Sequence, residues 1–351
     1  AGIINIVLKE NKFAGLNGNI NTGGDSQGGS NLSGQVNYRT TAFNSYINLG
    51  MNDRKRISDG TSIRTMQFPG FKNTLDKKSD SESGGPNLFV KTGVEYFIDP
   101  TQSLGLSATI SNGTRNNENK TYTLDSGPGD KKYWRYTNGD GDRNGYDVNL
   151  NYDKKFTNPK QKLTSYLRFS DGLNDGLNEY YNNDDGGANY VYDDRAKNGQ
   201  DGTSKSYNFK LDYTHPFEND SKLEFGLNSK STDRGDKQIA ELFDETTKQY
   251  VADRAYSNEF EYNETVHAAY IQYGGALGFI GYNVGGRYET VDMMSELKTT
   301  NESFKNPYSS FYPSLSMSFG APQLLQIQTS YSKRVNRPRS RMLNPFSSRQ
   351  D

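Results

Sequence analysis

One run of residues could hold a cation. The run Asp140-Gly-Asp142-Arg-Asn144-Gly145-Tyr146 places oxygen-bearing side chains at the first, third and fifth positions of a loop, with glycine at the sixth. Calcium takes several oxygens on a flexible turn, and glycine permits the sharp bend, so Asp140, Asp142, Asn144 and Tyr146 are candidate ligands of a Ca2+ ion. Position 12 of that pattern is Asn151 instead of the bidentate glutamate, so a complete EF-hand is not expected. An ordinary Asx/Gly turn leading into a strand explains the same residues. A second candidate is the segment 172–203, where Tyr180, Tyr181, Asp184, Asp185, Tyr190 and Tyr192 form a polar-aromatic surface suited to a sugar or peptide. A solvated loop is the plainer reading of such a stretch. No nucleophile–histidine–acid order, P-loop or dinucleotide fingerprint is present, and His215 and His267 stand 52 residues apart, so catalysis is not expected and no organic cofactor is implied.

The composition bounds what could position these groups. The 351 residues are only 32% hydrophobic, yet they include 25 Tyr and 18 Phe, which is unlike a disordered chain. Apolar runs such as Ala276–Gly281 fall far short of the roughly 20 residues of a membrane-spanning helix. A net charge of -1 argues against a nucleic-acid binder, and the absence of cysteine removes disulfide and thiolate chemistry.

The dominant signal is a period of two. Leu88, Val90, Thr92, Val94 and Tyr96 alternate with Phe89, Lys91, Gly93 and Glu95, and the same pattern recurs at Tyr146–Tyr152, Tyr207–Tyr213 and Leu325–Tyr331. Such segments carry one apolar and one polar face, so the fold class is all-β. Thirteen strands are expected, near 16–22, 30–40, 43–53, 87–97, 103–112, 144–155, 162–171, 204–215, 222–231, 259–273, 279–290, 310–319 and 324–334. Most are about ten residues long, enough to cross a bilayer at a tilt. From the second strand onward, short turns alternate with long connections at 54–86, 113–143, 172–203, 232–258 and 291–309, expected as extracellular loops. Short turns on one side and long loops on the other are the habit of an outer-membrane barrel. Each short turn also has a phenylalanine in or beside it (Phe43, Phe97, Phe156, Phe217, Phe279 and Phe319), as an aromatic girdle requires. Arg39, Lys91, Glu95, Arg168, Arg287 and Glu289 are then expected to face the lumen, where they would meet a charged ligand, a plug or one another.

A family resemblance agrees with this pattern. Ala1–Lys9, AGIINIVLK, resembles the end of the plug domain of TonB-dependent outer-membrane receptors. The strand Gly285-Gly286-Arg287-Tyr288-Glu289 resembles their barrel strands. Tyr331-Ser-Lys-Arg-Val-Asn-Arg-Pro338 and Leu343-Asn344-Pro345-Phe346 resemble the barrels of this class common in Bacteroidetes. The resemblance implies residues 1–12 as the end of a plug and 13–351 as part of an antiparallel up-and-down transmembrane barrel, of 22 strands in the family. The chain is accordingly read as an internal piece of a longer protein. It also implies outer-membrane lipid as surroundings, a small nutrient ligand, the TonB energy-transducing protein as partner and the Gram-negative outer membrane as location. The competing readings are a passive pore or non-transporting barrel, which would have no plug-like lead-in, and a soluble extracellular binding module or adhesin.

Overall fold

The computed structural model describes residues 15–127, 129–183, 194–320, 326–338 and 340–344. The expected plug residues 1–12 lie outside them. One antiparallel sheet contains β1 (Gly15–Gly24), β2 (Ser30–Arg39), β3 (Phe43–Phe68), β4 (Phe71–Asp99), β5 (Gln102–Ser126), β6 (Lys131–Lys155), β7 (Lys162–Asn183), β8 (Asp194–Pro216) and β9 (Lys222–Asp244). It continues through β10 (Gln249–Ala252), β11 (Asn258–Leu277), β12 (Ile280–Leu297), β13 (Glu302–Lys305), β14 (Tyr308–Phe319) and β15 (Ile327–Ser332). A single helical turn, α1 (Ser340–Leu343), follows. Strands pair with their sequence neighbours throughout, apart from two short strands off the main path: β10 pairs with β9, and β13 with β12. Thirteen strands therefore form the meander, the number the period-two pattern predicts. Among the described residues β1 pairs only with β2 and β15 only with β14, so the sheet keeps two edges.

Local chemistry sets the short turns. Thr40 Oγ1 accepts hydrogen bonds from the N–H of Ala42 and Phe43 at 3.2 and 3.0 Å, closing β2 onto β3. Asp99 Oδ1 accepts from the N–H of Thr101 at 2.7 Å between β4 and β5. Both are side-chain oxygens replacing a backbone partner in a tight turn.

The long connections differ from expectation. Segments 54–86 and 113–143 are not loops: β3 and β4 stay in register from Phe43↔Tyr96 to Phe68↔Phe71, closed by Pro69-Gly70. The β5–β6 ladder likewise runs on to Asp125↔Lys131. Within 172–203, β7 and β8 pair up to Asn182↔Asp194, and within 232–258 and 291–309 the chain folds back as β10 and β13. The reason is physical. Once register is set lower in the strand, backbone hydrogen bonds continue the ladder without needing an apolar face, and two polar faces leave no periodic signal in sequence.

One consequence concerns the candidate calcium turn. Asp140, Asp142 and Asn144 lie in β6, opposite Asn116, Thr114 and Asn112 of β5. Extended backbone sets alternate residues about 7 Å apart along the strand, so these oxygens cannot wrap around one ion as the expected turn would. Asp142 Oδ1 instead accepts from Thr114 Oγ1 at 2.8 Å. The alternative Asx/Gly turn is absent for the same reason.

Candidate functional site

Register carries the two faces around the whole sheet. The row Val94, Leu106, Leu150, Leu167, Phe209 belongs to one face and the row Glu95, Gly105, Asn151, Tyr166, Lys210, Asn228 to the other. The apolar face is bare: Leu106 is 50%, Leu227 49% and Ile271 56% exposed. It is also narrow. On β3 it spans Phe43, Ile47, Leu49 and Met51 and gives way to Asp53 and Lys55. Tyr152 and Tyr146, Tyr213 and Tyr207, and Tyr282 and Tyr288 each stand six residues apart on this face of β6, β8 and β12. The six-residue separation sets two aromatic rows about 20 Å apart along the strands. The turn-side row is continuous: Tyr213 contacts Phe156 and Phe225, and Phe217 contacts Tyr273, at ring distances of 5.1–6.1 Å. Of the turn phenylalanines, Phe97 departs from this row and packs on the polar face under Arg39, whose guanidinium lies 5.0 Å from its ring.

The polar face holds all six expected charges. Arg39, Lys91 and Glu95 sit opposite Asn44, Asn48 and again Asn44 on β3. Arg168 pairs with Asp147, the two on adjacent strands. Arg287 Nε donates to Glu289 Oε1 at 2.6 Å. Glu289, only 5% exposed, also accepts from Arg337, whose Nε donates to Tyr308 Oη at 2.7 Å. Through this contact residues 333–338 and 340–344 lie against the polar face of β9, β11, β12 and β14. Leu343 packs on buried Phe260, Tyr262 and Leu297, Arg234 Nη1 donates to Ser340 Oγ at 3.3 Å, and Asn258 Nδ2 donates to Asn344 Oδ1 at 3.0 Å. Nothing in sequence marks this docking, because Arg337 and Glu289 are 48 residues apart.

Of the candidate ligand surface, Tyr180 and Tyr181 lie in β7 opposite Ala196 and Arg195. Asp184, Asp185, Tyr190 and Tyr192 lie outside the described residues. Tyr181 Oη donates to Glu179 Oε2 at 3.1 Å, and Lys197 Nζ stands 2.8 Å from Glu179 Oε1. The Lys197 ammonium holds the Glu179 carboxyl below its ordinary 4.5, and the carboxylate in turn raises Lys197. A depressed carboxyl stabilises the fold above its unfolded value and loses that contribution as pH falls through the folded one. Amides of β7 and β8 near this pair are therefore expected to exchange faster below pH 4.5 than intrinsic rates account for. Glu179→Gln should flatten that dependence in hydrogen-exchange mass spectrometry. Among the described residues no group of three or more His, Cys, Asp or Glu side chains is placed to hold a metal.

An apolar band edged by aromatic rows and backed by a polar face on a continuous antiparallel meander defines a transmembrane β-barrel protein. A model of the outer membrane protein beta-barrel family matches residues 154–351. The chain belongs to that family, and its place is the outer membrane of a Gram-negative bacterium. The apolar face is thus the lipid face and the polar face lines the lumen. No curated protein sequence matches significantly. Similar solved structures include the outer membrane protease OmpT from Escherichia coli, at 14% identity over 84% of this chain and 97% of that one, with a TM-score of 0.29. The ferric citrate transporter FecA aligns at 7% identity over 88% of this chain and 63% of its own, with a TM-score of 0.28. The siderophore receptor PiuA from Acinetobacter baumannii aligns at 8% identity over 90% and 70%, with a TM-score of 0.27. Family membership rests on the family match, not on these scores.

Proposed function

We propose that this chain is part of a TonB-dependent receptor that binds a scarce nutrient outside the cell and admits it through the lumen. The observation that carries the reading is the width of the sheet. Thirteen strands run side by side without closing among the described residues. Eight strands already give an interior that side chains just fill, so a barrel of more than thirteen encloses a conduit. Porin barrels leave such a conduit open and wider transporter barrels plug it; AGIINIVLK at residues 1–9 resembles the end of a plug and favours the second. The ladders that continue past the apolar band place polar surface above the membrane, where a ligand arrives.

The test uses cells carrying the full-length protein, with and without TonB. They are grown with a ferric siderophore, cobalamin, an oligosaccharide or a peptide as the limiting source. The protein is expected to improve growth on one source, and loss of TonB is expected to abolish the advantage. An advantage that survives without TonB would identify a passive pore instead.

A further inference from the structure

We infer that the lumen face of the β3–β6 ladders, beyond the apolar band, is a binding site for a polyanionic solute whose charge sits on carboxylate, phosphate or sulfate groups. The inference rests on the receptor reading for its physiological setting and names the ligand class. Register supplies the first observation. On the polar face of residues 54–62, 77–87, 113–123 and 133–143 stand Arg54, Arg56, Lys77, Arg115, Arg135 and Arg143, with no Asp or Glu at any position of that face. The opposite face of the same ladders carries both signs: Asp59, Asp80, Glu82, Glu118, Asp140 and Asp142 with Lys55, Lys78 and Lys120. Charge needed only for solvation mixes its signs, as this outer face does; the inner face does not. The overall charge of -1 thus conceals an inner surface of one sign.

The second observation is that these cations are unspent and have room. Among the described residues none of the six forms an ion pair, and Arg135 alone is fixed, with its Nε donating to Asn182 Oδ1 at 3.0 Å. Arg54 lies opposite Gly85 and Arg115 opposite Gly141, so each guanidinium has a neighbour without a side chain. Gly85 is held in this role by geometry: its φ is +134°, and a Cβ there would come within 2.1 Å of the Thr114 carbonyl oxygen. Further along the same face a groove of about 550 Å³ contains Lys77 and Arg135 with Ser62, Ser79, Thr121 and Tyr133. Guanidinium forks match oxyanions in bidentate geometry, and the hydroxyls supply further donors. A cationic groove without a carboxylate favours an anion over a neutral sugar.

The experiment measures binding to the purified full-length protein in neutral detergent by calorimetry. The probes are pyrophosphate, citrate, a chondroitin sulfate oligosaccharide and, as the neutral control, maltotriose; the first three distinguish phosphate, carboxylate and sulfate. At least one polyanion is expected to bind, with affinity falling as salt is raised, and maltotriose is not. Removing Arg54 or Arg115 as Arg→Gln is expected to weaken binding roughly tenfold each. Lys55→Gln and Lys78→Gln, on the opposite face, are expected to leave it unchanged. Failure of all three polyanions to bind, salt-independent binding, or equal sensitivity to the Lys55 and Lys78 variants would each overturn the inference. Polyanion binding without TonB-dependent growth would remove the receptor reading and leave this site standing, and TonB-dependent growth without polyanion binding would do the reverse.

Discussion

Leu106→Arg is expected to destabilise the membrane-inserted protein by about 2–4 kcal/mol, the cost of a cation on the lipid face near the bilayer midplane. Leu106 is in the middle of the β5 apolar row, between Val94 and Leu150, and is half exposed to what is lipid in the membrane. The neighbouring Gly105 provides the control. It points into the lumen, where a Cβ would meet nothing closer than the Asn151 side chain at 3.9 Å. Gly105→Arg should therefore cost much less, although it puts the same charge one residue away. Urea unfolding in phospholipid vesicles measures both. Equal costs at the two positions would contradict the assignment of faces, since a one-residue step in a strand exchanges lipid for lumen.

Glu289→Gln is expected to release the segment 333–344 and to cost about 2–3 kcal/mol, somewhat below the value for breaking a fully buried pair because the two arginines keep partial contact with solvent. The carboxylate is buried and bonded to both Arg287 and Arg337, so the glutamine leaves two guanidinium groups with one neutral amide oxygen between them and no countercharge. Release should appear as protease cleavage between residues 333 and 344 and as lost hydrogen-exchange protection there. The double variant Glu289→Gln, Arg337→Gln should lose less than the sum of the two single changes, because one substitution already breaks the contact both residues share. Strict additivity would show that the Glu289–Arg337 contact does not hold the segment, leaving that role to Leu343 in its apolar cluster and to the hydrogen bonds of Ser340 and Asn344.

Legibility in sequence followed the lipid boundary. Inside the apolar band, alternate residues must satisfy two different solvents, and the pattern in Leu104, Leu106, Ala108 and Ile110 is a direct record of that demand. Strand number, strand class and the assignment of Arg39, Lys91, Glu95, Arg168, Arg287 and Glu289 to the polar face could therefore be read from period two. Above the band both faces meet water, the demand disappears, and Arg54–Phe68 reads as loop although it is strand. The Asp140–Tyr146 run illustrates the hazard: a spacing that suits a calcium turn also suits alternate positions on an extended strand.

The chain alone thus determines a lipid-facing β meander of thirteen strands, because each strand carries its own two-solvent pattern and needs no distant residue to reveal it. Only tertiary structure decided which polar residues share a surface. Arg54, Arg115 and Arg143 are up to 89 residues apart, and their common face exists because hydrogen-bonded register transmits the inward direction from strand to strand. The pairing of Arg337 with Glu289 was likewise invisible, since it depends on where a segment without periodicity comes to rest on a finished sheet.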